Sequence, residues 1–255
     1  MEIHKHKKIT RWLAVFMAAI VLYAMPSFDA LANQQFILNY YARVTLPAFA
    51  QMKKTFGRLY LGSEPLPKIG ISAGHGGNTG ASVMVNGKRV YEDTLNLDVA
   101  LAANKAFTAK GYPTLMNRMD NSASPKDEKL ALFRPWKPEV YLEFHFNIGG
   151  TSSNPATGLE VWYKEGDAEG KRLAEILARK LSASVGIKNR GAKTGINFYI
   201  CNAFPLGVLI ECGFLNNAND RAKFNSALAR QKFAQATLEA VEEFLNVQNA
   251  KLAHK

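Results

Sequence analysis

The chain has 255 residues, enough for one sizeable core or for a core with a small appendage. Its 47 % hydrophobic and 21 % charged residues are those of an ordinary globular protein and set aside the disordered and fibrous classes. The net charge of +11 favours polyanions, whether nucleic acid, anionic lipid or an anionic cell wall, and does not choose among them.

Residues 1–11 are polar and basic, and Trp12 to Met25 is an unbroken apolar run. Pro26 follows, and then Ala30-Leu31-Ala32, a small-residue cleavage pattern. This reads as a secretory signal over residues 1–32, cut after Ala32. The apolar run is shorter than the roughly 20 residues of a membrane span. The alternative is an uncleaved anchor, which alone would associate the chain with a membrane. Either way the body is exported, to the periplasm or to the cell wall and beyond, and nucleic acid is set aside as a partner.

Residues 33–67 form a leader rich in aromatics (Phe36, Tyr40, Tyr41, Phe49, Phe56, Tyr60) and in basic residues, closed by Pro65 and Pro67. Helices packed on the body and a membrane-proximal stalk are equally compatible with it. The body, 68–248, alternates strand and helix, and 249–255 reads as a tail. Strands are expected at 68–72, 113–116, 139–146, 158–163 and 208–214, from short apolar runs. Helices are expected at 94–110, stopped by Gly111, at 168–185, stopped by Gly186, and at 230–247. Such alternation implies an α/β layer fold around a parallel or mixed sheet, with sites at strand ends. Cys201 and Cys212 are as compatible with two buried thiols as with one disulfide.

The body holds only two of the five histidines, His75 and His145. His75 sits among Gly74, Gly76, Gly77 and Gly80, where the backbone turns sharply and approaches a ligand closely. No Gly-Lys-Ser/Thr follows, so the loop is not a Walker phosphate cradle. Glu92 opens a helix-like segment, and Asn96 lies one turn on, facing the same way. Glu143, His145 and Asn147 alternate along one strand and share a face. Glu211 stands alone in the apolar strand Val208–Phe214, where a carboxylate is either paired, with Arg190 or Lys193, or functional. Two histidines, a glutamate and a spare glutamate are the parts of a catalytic zinc site: three ligands, one open position and a base.

Four segments in order, Ile71-Ser72-Ala73-Gly74-His75-Gly76-Gly77, Glu92-x-x-x-Asn96-Leu97, His145-x-Asn147 and Leu209-Ile210-Glu211-Cys212-Gly213-Phe214-Leu215, resemble the type-3 domain of zinc-dependent N-acetylmuramoyl-L-alanine amidases. The likeness runs from Lys68 to Leu245. It implies a single phosphorylase/hydrolase-like α/β domain, with a twisted mixed sheet of about six strands between helices. It implies hydrolysis of the amide between N-acetylmuramic acid and L-alanine of peptidoglycan, with the anionic cell wall as partner and one zinc ion as cofactor. Carried over by position, His75, Glu92 and His145 are the metal ligands and Glu211 the catalytic acid/base. Asn96 and Asn147 are groups that support a ligand or touch substrate, and Arg190 and Lys193 meet the anionic stem peptide. The chain departs from the pattern at Ser72-Ala73, where Asp-Pro is usual, and at Glu143, where a small residue is usual and a carboxylate could crowd or replace a ligand. The helix before the 139–146 strand reads as shortened and broken by Pro135 and Pro138. No long helical insertion separates His145 from Glu211, which implies an open site. A zinc peptidase of the stem peptide and a non-catalytic wall-binding protein are the alternatives.

Overall fold

The computed structural model describes residues 66–194 and 201–253, with Cys201 and residues 247–253 described by backbone alone. The signal expected over 1–32 and all but the end of the leader lie outside the described residues. Eight strands are described: β1 (Ile69–Ala73), β2 (Ser82–Val85), β3 (Lys88–Tyr91), β4 (Thr114–Met116), β5 (Val140–Asn147), β6 (Leu159–Tyr163), β7 (Asn189–Lys193) and β8 (Gly207–Phe214). The helices are α1 (Glu92–Ala109), α2 (Lys126–Trp136), α3 (Ala168–Val185), α4 (Ala218–Ala222) and α5 (Ala227–Ala253), with a short 3₁₀ turn at Cys201–Ala203. Among the described residues no helix is long and apolar enough to cross a membrane.

Six strands form one mixed sheet in the order β4-β1-β5-β8-β6-β7. The pairs β1/β4, β1/β5, β5/β8 and β6/β7 are parallel, and β6 runs antiparallel to β8. The central strands are buried on both faces, which explains their near-continuous apolar runs. One face carries Ile69, Ile71, Leu142, Phe144, Val161, Val208 and Ile210 into the main core, against α1, α3 and α5. The other face carries Tyr141 and Leu209 into a small cluster with Leu130 and Phe133 of α2 and with Phe204. This second face also carries the polar residues of β5, β6 and β8.

Local signals account for the helix ends. Asp167 caps α3 by accepting from the Gly170 amide, and Gly186 closes it in the left-handed conformation. Two expectations are corrected. Helix α2 is not broken at Pro135: the proline sits in its last turn, and the helix ends one residue later with Lys137 left-handed. The closing helix is longer than 230–247 and runs through part of the expected tail, because nothing in that tail breaks a helix.

Two elements absent from the sequence reading frame the site. The hairpin β2/β3 turns at Asn86-Gly87, both with positive φ (50° and 75°). Edge strand β7 pairs with β6. Asp220, 2 % exposed, ties the end of β8 to the start of β6. It accepts from Thr157 Oγ1 (2.7 Å) and from the amides of Gly158 (3.0 Å) and Phe214 (2.9 Å). Asp220→Ala leaves both amides buried without an acceptor and is expected to cost about 3 kcal/mol in denaturant unfolding. A loss below about 1 kcal/mol would show that water replaces the carboxylate.

Candidate metal centre

The C-terminal ends of the parallel strands converge on one edge of the sheet, where α/β sheets place their ligands. His75 follows β1 directly, and His145 and Asn147 lie in the last turn-ward residues of β5. Glu211 pairs in register with His145 on one side and with Glu160 on the other. Glu92 is the first residue of α1, and its amide donates to the Ala81 carbonyl (2.9 Å). Its Oε2 accepts from the Ala81 amide (2.8 Å), so the base of the hairpin fixes the carboxylate.

Both histidines aim a nitrogen at one oxygen. His75 Nε2 and His145 Nδ1 each lie 3.1 Å from Glu92 Oε1. The rings stand edge-to-face, with centroids 5.0 Å apart. One ligand-type atom from each of the three residues falls within 4.8 Å of the others. Two ligands of a tetrahedral ion sit roughly 3.3 Å apart, so this spacing fits a single metal ion. His75 holds its place at φ 56°, a left-handed backbone that is uncommon for a residue with a side chain.

The loop has no room to spare. A Cβ on Gly74 would collide with the His145 ring, and one on Gly80, whose φ is 84°, would collide with His75 and Glu92. Beneath it, Asn96 donates to the Gly74 carbonyl (3.1 Å) and to Glu92 Oε1 (3.3 Å). Arg118, 4 % exposed, donates through Nη2 to the carbonyls of Gly74 (2.9 Å) and Asp93 (2.7 Å). One guanidinium thus ties the residue before His75 to the residue after Glu92.

Electrostatics favour a cation here. Burial alone would raise the Glu92 carboxyl; hydrogen bonds from His145 and His75 outweigh it and hold the group down at about 2. Burial would lower His145, but Glu143 and Glu92 on either side push it up to about 10. Glu143 lies below the usual carboxylate range despite its burial, mainly because of the Lys129 charge. Glu211 behaves in the opposite way. Burial, with Glu92, Glu160 and Glu143 adding to it against the opposing charge of His145, pushes Glu211 up to about 7. Its Oε2 is buried with no hydrogen-bond partner among the described residues.

The remaining expected residues are placed differently from one another. Arg190 does not pair with Glu211. Its Nε lies 2.6 Å from Glu160 Oε2, and its guanidinium stacks over Phe214 at 5.0 Å. Asn147 also donates to Glu160 (3.1 Å), as does the Trp162 indole (3.2 Å). Lys193, on β7, has no ion-pair partner among the described residues. Sequence reasoning missed Glu160 as an organiser, although its isolation in the run Leu159–Tyr163 marks it as Glu211 is marked. Cys212 carries a free thiol, fully buried and pushed well above its ordinary pKa by that burial, so it is inert.

The family model described as N-acetylmuramoyl-L-alanine amidase matches residues 69–243. The chain belongs to this amidase family. It is 31 % identical over 170 residues to the N-acetylmuramoyl-L-alanine amidase LytC of Bacillus subtilis (strain 168), covering 66 % of this chain and 33 % of LytC. It therefore spans a third of that relative's length. Among solved structures it is similar to the N-acetylmuramoyl-L-alanine amidase from Clostridium difficile 630, with a TM-score of 0.64, 26 % identity, and 72 % and 98 % of the two chains covered. The catalytic domain of CwlV from Bacillus (Paenibacillus) polymyxa var. colistinus gives 0.63 at 25 % identity, with 71 % and 99 % covered. The six-stranded mixed sheet with flanking helices is the fold expected of the amidase family.

Proposed function

We propose that the chain is an exported zinc amidase that hydrolyses the bond between N-acetylmuramic acid and the L-alanine of peptidoglycan. The convergence of His75, Glu92 and His145 next to a carboxylate whose buried Oε2 has no partner among the described residues carries this reading. In it the three residues hold one zinc ion, which when bound lowers the pKa of water and polarises the scissile carbonyl. Glu211 takes the proton of the attacking water at its carboxylate and returns it to the leaving amine nitrogen. A carboxyl near pKa 7 suits both halves of that transfer at neutral pH. Asn96 holds Glu92 in place, and Asn147 works through Glu160 on the wall of the site. Arg190 is engaged by Glu160, so of the two cations expected to meet an acidic stem peptide Lys193 is the one without an ion-pair partner among the described residues. Export rests on the apolar run Trp12–Met25 and Ala30-Leu31-Ala32, and the positive net charge supplies affinity for an anionic wall.

Zinc content and release of amine from peptidoglycan, measured with and without a chelator, test the reading. We expect about one zinc per chain and new L-alanine amino termini that vanish on chelation and return with zinc. Bound zinc with other new termini would indicate a peptidase of the stem peptide. A folded chain that holds no zinc would leave a wall-binding protein.

A further inference from the structure

The buried face of α2 carries an ion that its apolar neighbours do not explain. Lys129 sits there with Leu130 and Phe133, and is 5 % exposed. Its Nζ lies 2.5 Å from Oε1 of Glu143, itself 4 % exposed on β5. The same oxygen accepts from Ser72 Oγ at 3.4 Å and lies 3.6 Å from Nε2 of His145. The other nitrogen of that ring, Nδ1, faces Glu92. The His145 ring therefore stands between two carboxylates, one at each nitrogen.

Resting on the zinc reading above, we propose that Lys129 and Glu143 are positioning residues that set the angle of the His145 ring toward the ion. The carboxylate of Glu143 faces the Nε2 edge of the ring, while the Nδ1 edge faces Glu92 and the place of the ion. Lys129 and Ser72 hold the Glu143 carboxylate aimed at the ring. Carboxylates behind ligating histidines orient the ring and raise its basicity. The segment leading into α2 serves the other histidine as well: the Asn121 carbonyl accepts from the Gly77 amide at 2.7 Å. One stretch, 121–129, thus supports both histidine ligands.

The test uses the full chain and inorganic zinc. Zinc affinity is measured by competition with a chromophoric chelator, and the His145 ring form by nitrogen-15 shifts. Glu143→Gln keeps the shape, and Lys129→Met with Glu143→Leu replaces both charges by an apolar pair of similar bulk. Both variants are expected to bind zinc about 10–100-fold more weakly. Zinc-loaded parent should show His145 protonated at Nε2. Parent-like zinc affinity in a variant that melts at the parent's midpoint would overturn the proposal, as would a loaded parent protonated at Nδ1. These outcomes presuppose that the parent binds zinc; a parent that takes up none removes the zinc reading and this one with it.

Discussion

Glu211→Gln is expected to lower amide cleavage by about 10²–10⁴-fold while leaving zinc content at the parent level. The substitution keeps the shape of a side chain flanked in register by His145 and Glu160. It removes the ability to take a proton at an oxygen that has no hydrogen-bond partner among the described residues. Retained turnover would end the acid/base assignment, and loss of zinc would make Glu211 a ligand instead. The raised acid also has a stability signature. Folded Glu211 holds its proton more tightly than the ordinary carboxyl of 4.5, so its contribution is full below that value and is lost as pH rises through about 7. Glutamine does not ionise. In metal-free protein the variant should therefore gain on the parent between about pH 5 and about pH 8.

Gly74→Ala is expected to weaken zinc binding by about 10²-fold or more, the usual consequence of moving a reacting group by about an ångström. The added methyl meets Cε1, Nε2 and Nδ1 of His145 together. The ring has little room to yield, because Glu143 and Glu92 stand at its two nitrogens. Backbone geometry is no obstacle, since Gly74 is not among the residues with positive φ. The metal-free variant is expected to lose about 1–3 kcal/mol of stability, the usual cost of forcing a methyl into filled space. Competition with a chelator and a metal-free melt separate the two effects, and parent-like zinc affinity would show that the ring relocates without cost.

The sequence reading located most of the frame because the frame is made of local signals. The buried strands announce themselves as apolar runs, and α3 is bounded by a side-chain cap and a glycine stop, so its ends match residue for residue. Hairpin β2/β3 was missed although it carries a strong turn signal, Asn86-Gly87 between two four-residue strands. Strand β7 was not legible: Asn189–Lys193 is polar and becomes a strand only by pairing with β6. The same division runs through the site. His75, His145 and Glu211 stand out against glycine or apolar neighbours. Lys129 reads in Lys126-Asp127-Glu128-Lys129 as part of a solvated charge run, and only the seating of α2 on β5 turns it inward. Arg190 had two acidic neighbours to choose from, and the antiparallel register of β6 with β8 gives it Glu160.

The centre is drawn from four distant stretches of chain, and Glu92 and His145 alone are separated by 53 positions. No short segment holds two of the three ligand-type residues side by side, so the unfolded polypeptide contains no site at all. Under the export reading, a chain threaded through a membrane before folding carries its chemistry only as scattered parts. Hydrolytic power then appears at the destination, at the moment the sheet edge closes, and the cell that makes the chain is shielded by folding itself.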